Sequence, residues 1–265
     1  MQIENPADIA SRLAAEHRQR IPFSPLPWAT AGNMDLAYAA QDVLVGIFAE
    51  AEGATIAGWK VGLTAKKMQS FCGVDSPIAG AILSSRVHCG PIELQLADFG
   101  RLGLEVELAV RLGRPLPSDA DLTRQSVEAS LDRICAAFEI VDDRDADYAT
   151  LDACSIIADN SWNAGIVLGE SRPLEGMPDL QNLGASLSMN GEAVGHAITS
   201  DAGGDPLEVV VWLERLLRSR GRRLEVGDWV MTGSIIATQF ARRAQEYCFT
   251  IEELAPVVVR TSGQN

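Results

Sequence analysis

Apolar positions along this chain recur at two different spacings. Near the start the spacing is helical. Asn5-Pro6 sets an N-cap and a first-turn proline ahead of Ile9, Leu13 and Ala14. A link through Pro22, Pro25 and Pro27 follows, and Asn33 opens a second helix through Tyr38, Gln41 and Val45 to about Glu52. The pattern then predicts a strand over 57–63 and a short helix around 66–71, with Gly73 as its C-cap. From about Gly103 the period becomes two or collapses into short apolar runs, which reads as sheet. The predicted strands are 104–112, 136–141, 163–168, 185–189, 192–198, 228–232 and 247–251. Asn190-Gly191 between two of them is the strongest hairpin signal in the chain. Two helices interrupt the strands: one over about 122–135, and one from Asp205-Pro206 to Gly221, which carries N-cap, proline and glycine signals. Hairpins with inserted helices argue for α+β rather than a doubly wound parallel sheet.

Composition narrows the partners. The chain has 265 residues, 47% of them apolar and 22% charged, enough for a sizeable core. That length suits one large domain, or a compact domain with a helical appendage. A net charge of −14 repels phosphate backbones and anionic lipid heads, so neither nucleic acid nor a membrane is an expected partner. A small anionic substrate would be repelled too, unless a bound metal ion or a buried lysine supplied local positive charge. The five cysteines (Cys72, Cys89, Cys135, Cys154, Cys248) show no C-x-x-C spacing, which points to a reducing cytoplasm and away from a disulfide framework. No secretion signal or apolar run of membrane-spanning length is expected.

Within the sheet pattern, some polar residues stand out. Glu105 and Glu107 lie two apart in an apolar strand, so their carboxylates share a face. On alternation alone, the commoner explanation is a solvent face, with Val106 and Leu108 turned to the core. Glu139 shifts the balance, because it interrupts a run suited to a buried strand, Ala136-Ala137-Phe138-Glu139-Ile140-Val141. A buried carboxylate needs a partner or a metal, and three carboxylates from two strands suit Mg²⁺ or Mn²⁺. The opposing reading has Glu139 on an exposed edge, or paired with Arg133 or Arg144. Lys60, mid-strand between Trp59 and Val61, is placed equally well to meet a substrate carboxylate or to snorkel from an edge. Asp159-Asn160 precedes a strand and fits a site wall or, more commonly, a turn.

The acidic run from Asp142 to Asp147 is not a calcium loop, since its sixth and twelfth positions from Asp143 are Tyr148 and Cys154. His17, His88 and His196 show no metal spacing. Serine hydrolase, nucleotide-loop and zinc-protease motifs are absent from the sequence.

Taken in order, several segments resemble the 2-keto-4-pentenoate hydratase and 4-oxalocrotonate decarboxylase family of the fumarylacetoacetate hydrolase superfamily. They are Leu36-Ala37-Tyr38-Ala39-Ala40-Gln41, Gly58-Trp59-Lys60-Val61-Gly62-Leu63-Thr64, Gly73-Val74-Asp75-Ser76-Pro77, Glu105-Val106-Glu107-Leu108-Ala109, Glu139-Ile140-Val141-Asp142, Ala158-Asp159-Asn160 and Gly227-Asp228-Trp229-Val230-Met231-Thr232-Gly233-Ser234. The resemblance implies a mixed β-roll core over 91–265 with an N-terminal helical region over 1–90 packed on it as one unit. It also implies a homo-oligomer and a role in degrading aromatic ring-cleavage products. Glu105, Glu107 and Glu139 would hold Mg²⁺ or Mn²⁺, Lys60 would be catalytic, and Asp159, Asn160, Trp162 and Ser234 would contact a small 2-oxo or 2-hydroxy-dienoic acid.

The chain departs from the family pattern in three places. Ile78 and Ala79 stand where many hydratases carry an acid, Trp162 stands where a small residue is usual, and residues 235–243 replace the usual run toward a second Gly-Asp turn. Hydration is the first expectation and decarboxylation the second. Hydrolysis of an acylpyruvate ranks lower, for want of a His–Glu pair, and a catalytically silent metal-binding oligomer is the reading from outside enzymes.

Overall fold

The structure is a computed structural model, and it describes residues 5–27 and 33–264. Helix α1 (Pro6–Gln19) starts as its sequence predicts, with the Asn5 side chain accepting from Asp8 N and Pro6 in the first turn. It packs on α2 (Met34–Glu52), and both bury an apolar stripe including Ile9, Leu13, Ala37 and Leu44. Chain reversal after α2 uses Gly53 in the left-handed region.

A nine-stranded mixed sheet forms the centre. Its strands begin with β1 (Ile56–Gly62), which is followed by α3 (Lys66–Phe71) and then β2 (Ile78–Leu83). Next come β3 (Val87–Cys89), β4 (Ile92–Gln95) of the second sheet, and the long β5 (Leu102–Leu112). After α4 (Arg124–Ser130) the chain runs through β6 (Leu131–Asp142), α5 (Ala153–Ala158), β7 (Asn163–Leu168) and β8 (Arg172–Pro173). A second sheet takes β9 (Gly184–Met189) and β10 (Glu192–Ile198), then α6 (Pro206–Ser219) covers the first. The remaining strands are β11 (Trp229–Met231), β12 (Ile236–Phe240), β13 (Arg243–Ile251) and β14 (Val257–Gln264).

The first sheet runs β2-β1-β11-β5-β6-β7-β3, with β12 added to β5 and β8 to β6. The second runs β10-β9-β13-β14-β4. Leu104, Val106 and Leu108 of β5 pack with Phe138, Phe249 and Val259 in the core shared by the two sheets. The opposite face of β5 and β6 carries the carboxylates; along it Ala109, Cys135 and Ala137 pack with Ile82, Ile166 and Met231 of neighbouring strands, and Val141 meets the helical cluster. The mixed α+β architecture with an N-terminal helical region is as expected.

Several elements differ from the sequence reading. The helix expected over 122–135 stops at Ser130. Its Thr123–Ser126 capping box forms, but the next residues pair with β5, Ile134 opposite Val110 and Cys135 opposite Ala109. The spacing of Leu131, Ile134 and Cys135 is helical, yet eleven residues of β5 offer a ladder, and pairing overrides the local preference. Strand β2 is buried along its whole length, so it shows no alternation to read. The division at residue 90 falls inside the sheet, because β1, β2 and β3 are strands of the same sheet as β5. By contrast, the Asn190-Gly191 hairpin forms as predicted, with both residues at positive φ.

Candidate active site

Strand register brings the three glutamates together. Glu105 and Glu107 project from one face of β5, and Glu139 lies directly across from Glu105 on β6. One carboxylate oxygen from each lies within 4.8 Å of the others. Glu107 and Glu139 are completely buried, so the solvent-face and exposed-edge readings do not hold. Each carboxylate is anchored by at least one defined donor. Thr238 Oγ1 donates to Glu105 at 2.6 Å, Gly233 N to Glu107 Oε2 at 2.7 Å, and Asn163 Nδ2 to Glu139 Oε1 at 3.0 Å.

Glu107 Oε1 and Glu139 Oε2 are buried without a hydrogen-bond partner. Burial, then Glu139 and Glu105, drive Glu107 well above the ordinary carboxylate range. Burial likewise pushes Glu139 up to about 7, although Lys60 draws it down. Three converging oxygen donors, two buried free oxygens and an excess of negative charge fit a hard divalent cation. Glycine at 233 is required here. Its φ is +104°, and a Cβ would lie 2.7 Å from Thr64 Oγ1.

Lys60 approaches from β1, beside β11, and its Nζ lies 3.2 Å from Glu139 Oε1. Burial alone would favour the neutral amine, but Glu139, Glu105 and Glu107 outweigh it and raise the Lys60 pKa. Lys60 therefore stands as an ammonium beside the carboxylates. The snorkelling alternative fails, since the side chain is buried.

Lys60 and Glu105 open onto a cavity of about 520 Å³, while Glu107 and Glu139 lie behind its wall. Ser234 and Trp162, both expected near substrate, line it. The Ser234 hydroxyl donates to Ile236 O at 2.7 Å. Two departures noted in the sequence also reach it: Ile78, and the segment from Ile235 to Phe240, which adds β12 to β5.

Asp159 and Asn160 do not line this cavity. The Asp159 carboxylate is held by Arg144 Nη2 at 2.8 Å, and His17 Nε2 lies 2.6 Å from its other oxygen. Burial alone would raise its pKa, but His17 and Arg144 prevail and hold it below the usual carboxylate range. Asn160 is committed to β2, accepting from Ala81 N at 2.8 Å and donating to Ala81 O at 2.9 Å. Both residues border a smaller cleft of about 180 Å³ on the α1 side. Their sequence neighbours serve the cavity instead. Asn160, Ser161 and Trp162 are three successive left-handed residues, which turn Trp162 into the wall and set Asn163 against Glu139. Gly80 admits this turn, because a Cβ there would sit 2.6 Å from Asn160 O.

Sequence reasoning missed the anchoring roles of Asn163, Thr238 and Gly233. Asn163 had a signal, being a polar residue that opens an otherwise apolar strand. Thr238 had none, since its role depends on β12 joining β5.

A mixed β-roll whose adjacent central strands present three clustered glutamates defines a class, and comparison with known proteins agrees. The chain belongs to the family described as fumarylacetoacetate (FAA) hydrolase C-terminal, whose profile matches residues 64–260. It is 30% identical over 250 residues to the 2-keto-4-pentenoate hydratase of Paraburkholderia phymatum, covering 94% of both chains. It is 27% identical over 212 residues to a 4-oxalocrotonate decarboxylase of a Pseudomonas species, covering 80% of this chain and 81% of the relative. Its fold is similar to that of the 4-oxalocrotonate decarboxylase from Pseudomonas putida G7 complexed with magnesium and adipate, with a TM-score of 0.87, 25% identity and 97% of each chain covered. The family expected from the quoted motifs is therefore the family found.

Proposed function

We propose that this chain is a Mg²⁺- or Mn²⁺-dependent lyase of aromatic-compound degradation. It hydrates a 2-hydroxy-2,4-dienoate, by way of the 2-oxo-enoate, to a 4-hydroxy-2-oxo acid. The observation that carries the reading is the set of three clustered glutamates, two with buried unpartnered oxygens, beside the ammonium of Lys60. Glu105, Glu107 and Glu139 would hold the ion. When bound, it would supply Lewis acidity toward the acid's carboxylate and neighbouring oxygen.

The chain's own residues account for the rest. Gly233 N–H, Thr238 and Asn163 fix the three carboxylates, so the ligand set need not reorganise. Lys60 is a donor at the cavity wall, suited to hold the acid end and to deliver a proton. In ketonisation the dienol loses its O2 proton and gains one at C5. Water then adds oxygen at C4 and a proton at C3, so the net change is one water. The apolar walls limit bulk water around the conjugated system.

Decarboxylation of a 2-oxo-enedioate is the second reading, favoured by the similarity to two decarboxylases. The silent metal-binding oligomer is third, and Lys60 beside the glutamates speaks against it. A homo-oligomer in a reducing cytoplasm is the expected setting. None of the five cysteines is in a disulfide, and among the described residues no helix is long and apolar enough to cross a membrane.

The test is turnover of 2-hydroxypenta-2,4-dienoate by chelator-treated protein with and without Mg²⁺, with product identified by mass. Mg²⁺-dependent gain of one water supports hydration, and CO₂ from an enedioate supports the second reading. Full activity in Glu107→Gln would sink the metal assignment.

A further inference from the structure

Away from Lys60 and Glu105 the cavity lining is mainly apolar, and this constrains the substrate. We propose, resting on the reading above, that the preferred acid is a monocarboxylate with a bulky apolar substituent, alkyl or aryl, at the end remote from the metal. Acids that end in a second carboxylate are turned away.

Positive charge on the lining is confined to one residue. Among the described residues that line the cavity, Lys60 is the one lysine or arginine, and it is engaged with Glu139 beside the candidate metal ligands. Thr64, Ser161, Ser234 and Thr238 add neutral hydroxyls, and the apolar part of the wall includes Met68, Cys72, Leu151, Ile156, Trp162 and Phe240. A guanidinium does lie behind that wall, but it is spent. Arg101 stacks on Tyr148 and Phe240, with its carbon 5.5 Å and 4.9 Å from the ring centroids. Its Nε and Nη2 donate to Asp143, Nη1 donates to Asp145, and Nη2 also donates to Ala146 O. The Tyr148 hydroxyl is likewise turned away, donating to Asp143 Oδ2 at 3.2 Å.

A second carboxylate at this end would lose its water and meet no cation in return. Asp201 on the exposed rim and a net charge of −14 add repulsion. An apolar chain or ring would instead cover the wall residues. At about 520 Å³ the cavity falls within the range of roughly 300–1,000 Å³ that holds drug-sized ligands, far more than a five-carbon acid needs. Ile78 contributes a further apolar side chain to the same space.

The test measures binding of saturated 2-oxo acids to the full-length, Mg²⁺-loaded protein by calorimetry. The probes are oxalate, 2-oxopentanoate, 6-phenyl-2-oxohexanoate and 2-oxoheptanedioate. The phenyl acid is expected to bind about tenfold or more tighter than 2-oxopentanoate, and the dioate about tenfold or more weaker. In Leu151→Arg, a guanidinium on the partly buried wall is expected to bring the dioate to at least the affinity of 2-oxopentanoate. A phenyl acid no tighter than 2-oxopentanoate overturns the proposal, as does a dioate that binds as well as the phenyl acid. Continued rejection of the dioate by folded Leu151→Arg overturns it too. In each of these cases Mg²⁺-dependent oxalate binding would leave the lyase reading standing. If oxalate itself fails to bind, both readings fall.

Discussion

Replacing Glu107 with glutamine should raise the stability of the metal-free protein and abolish its response to metal. Glu107 is fully buried, and its ligand oxygen lies within 4.8 Å of those of Glu105 and Glu139. Were both ionised, two unit charges at that separation would repel by about 3.5 kcal/mol for an effective dielectric of ~20, which adds to burial in driving Glu107 toward its protonated form. Lys60, at 3.2 Å, offers about 5 kcal/mol of attraction on the same scale, but directs it to Glu139. An amide of the same shape keeps an acceptor for Gly233 N–H and puts a donor where Glu107 Oε1 has no partner. Without metal, Glu107→Gln is expected to gain ~1–3 kcal/mol, or roughly 2–10 °C in Tm for a chain of this length. Magnesium at a hundred times its Kd should add about 2.7 kcal/mol to the parent, or roughly 5–10 °C, and nothing measurable to the variant. Scanning calorimetry of chelator-treated protein, repeated over a Mg²⁺ series, reads both effects. A variant less stable than its parent without metal would refute the electrostatic argument. One stabilised by Mg²⁺ as strongly as the parent would refute the ligand assignment.

Other outcomes follow from the same geometry. Lys60→Met should cut turnover by about 10²–10⁴-fold while retaining a Mg²⁺-induced rise in Tm; an active variant removes Lys60 from the chemistry. Asp159→Asn breaks a buried pair with Arg144 and should cost ~3–5 kcal/mol of stability, with KM of the folded fraction little changed. A large KM increase at undiminished Tm would return Asp159 to the substrate. The pH dependence of the metal-free protein has a definite sign. Glu139, raised in the folded state to about 7, binds its proton more tightly there than in the unfolded chain. The stability from that bound proton is present below the ordinary glutamate pKa of ~4.3. It is lost as pH climbs toward about 7, so urea midpoints should fall across this window. Saturating Mg²⁺ should flatten the decline, and a midpoint that rises over the same window contradicts the reading.

How much of the site was readable depends on the range of the interactions that build it. Glu105 and Glu107 declare a shared face by spacing alone, and Glu139 declares burial by interrupting an apolar run. The strand register needed to join them is a long-range fact, yet two strongly patterned strands made it a short step. The pairing of Asp159 was not readable, because its partner His17 is 142 residues away, on the first helix. Thr238 was unreadable for the same reason, being 133 residues from Glu105. Strand β2 shows the complementary failure: burial along its whole length removes the polar–apolar contrast by which a strand announces itself.

The four residues from Asn160 to Asn163 have a consequence for how this protein can change. Asn160 fastens β2, Ser161 Oγ donates to Ala79 O, Trp162 walls the cavity and Asn163 steadies Glu139. Because the first three hold left-handed backbone in succession, a shift at one is transmitted to the next. Substrate scope and metal affinity are thus tied together along four consecutive peptide units. Selection for a new substituent acting on Trp162 would disturb the support of Glu139, so adaptation is freer at Met68, Leu151 and Phe240. Those three can vary without touching the ligand set, and divergence among close homologues with different substrates should gather there while Asn160 and Asn163 stay fixed.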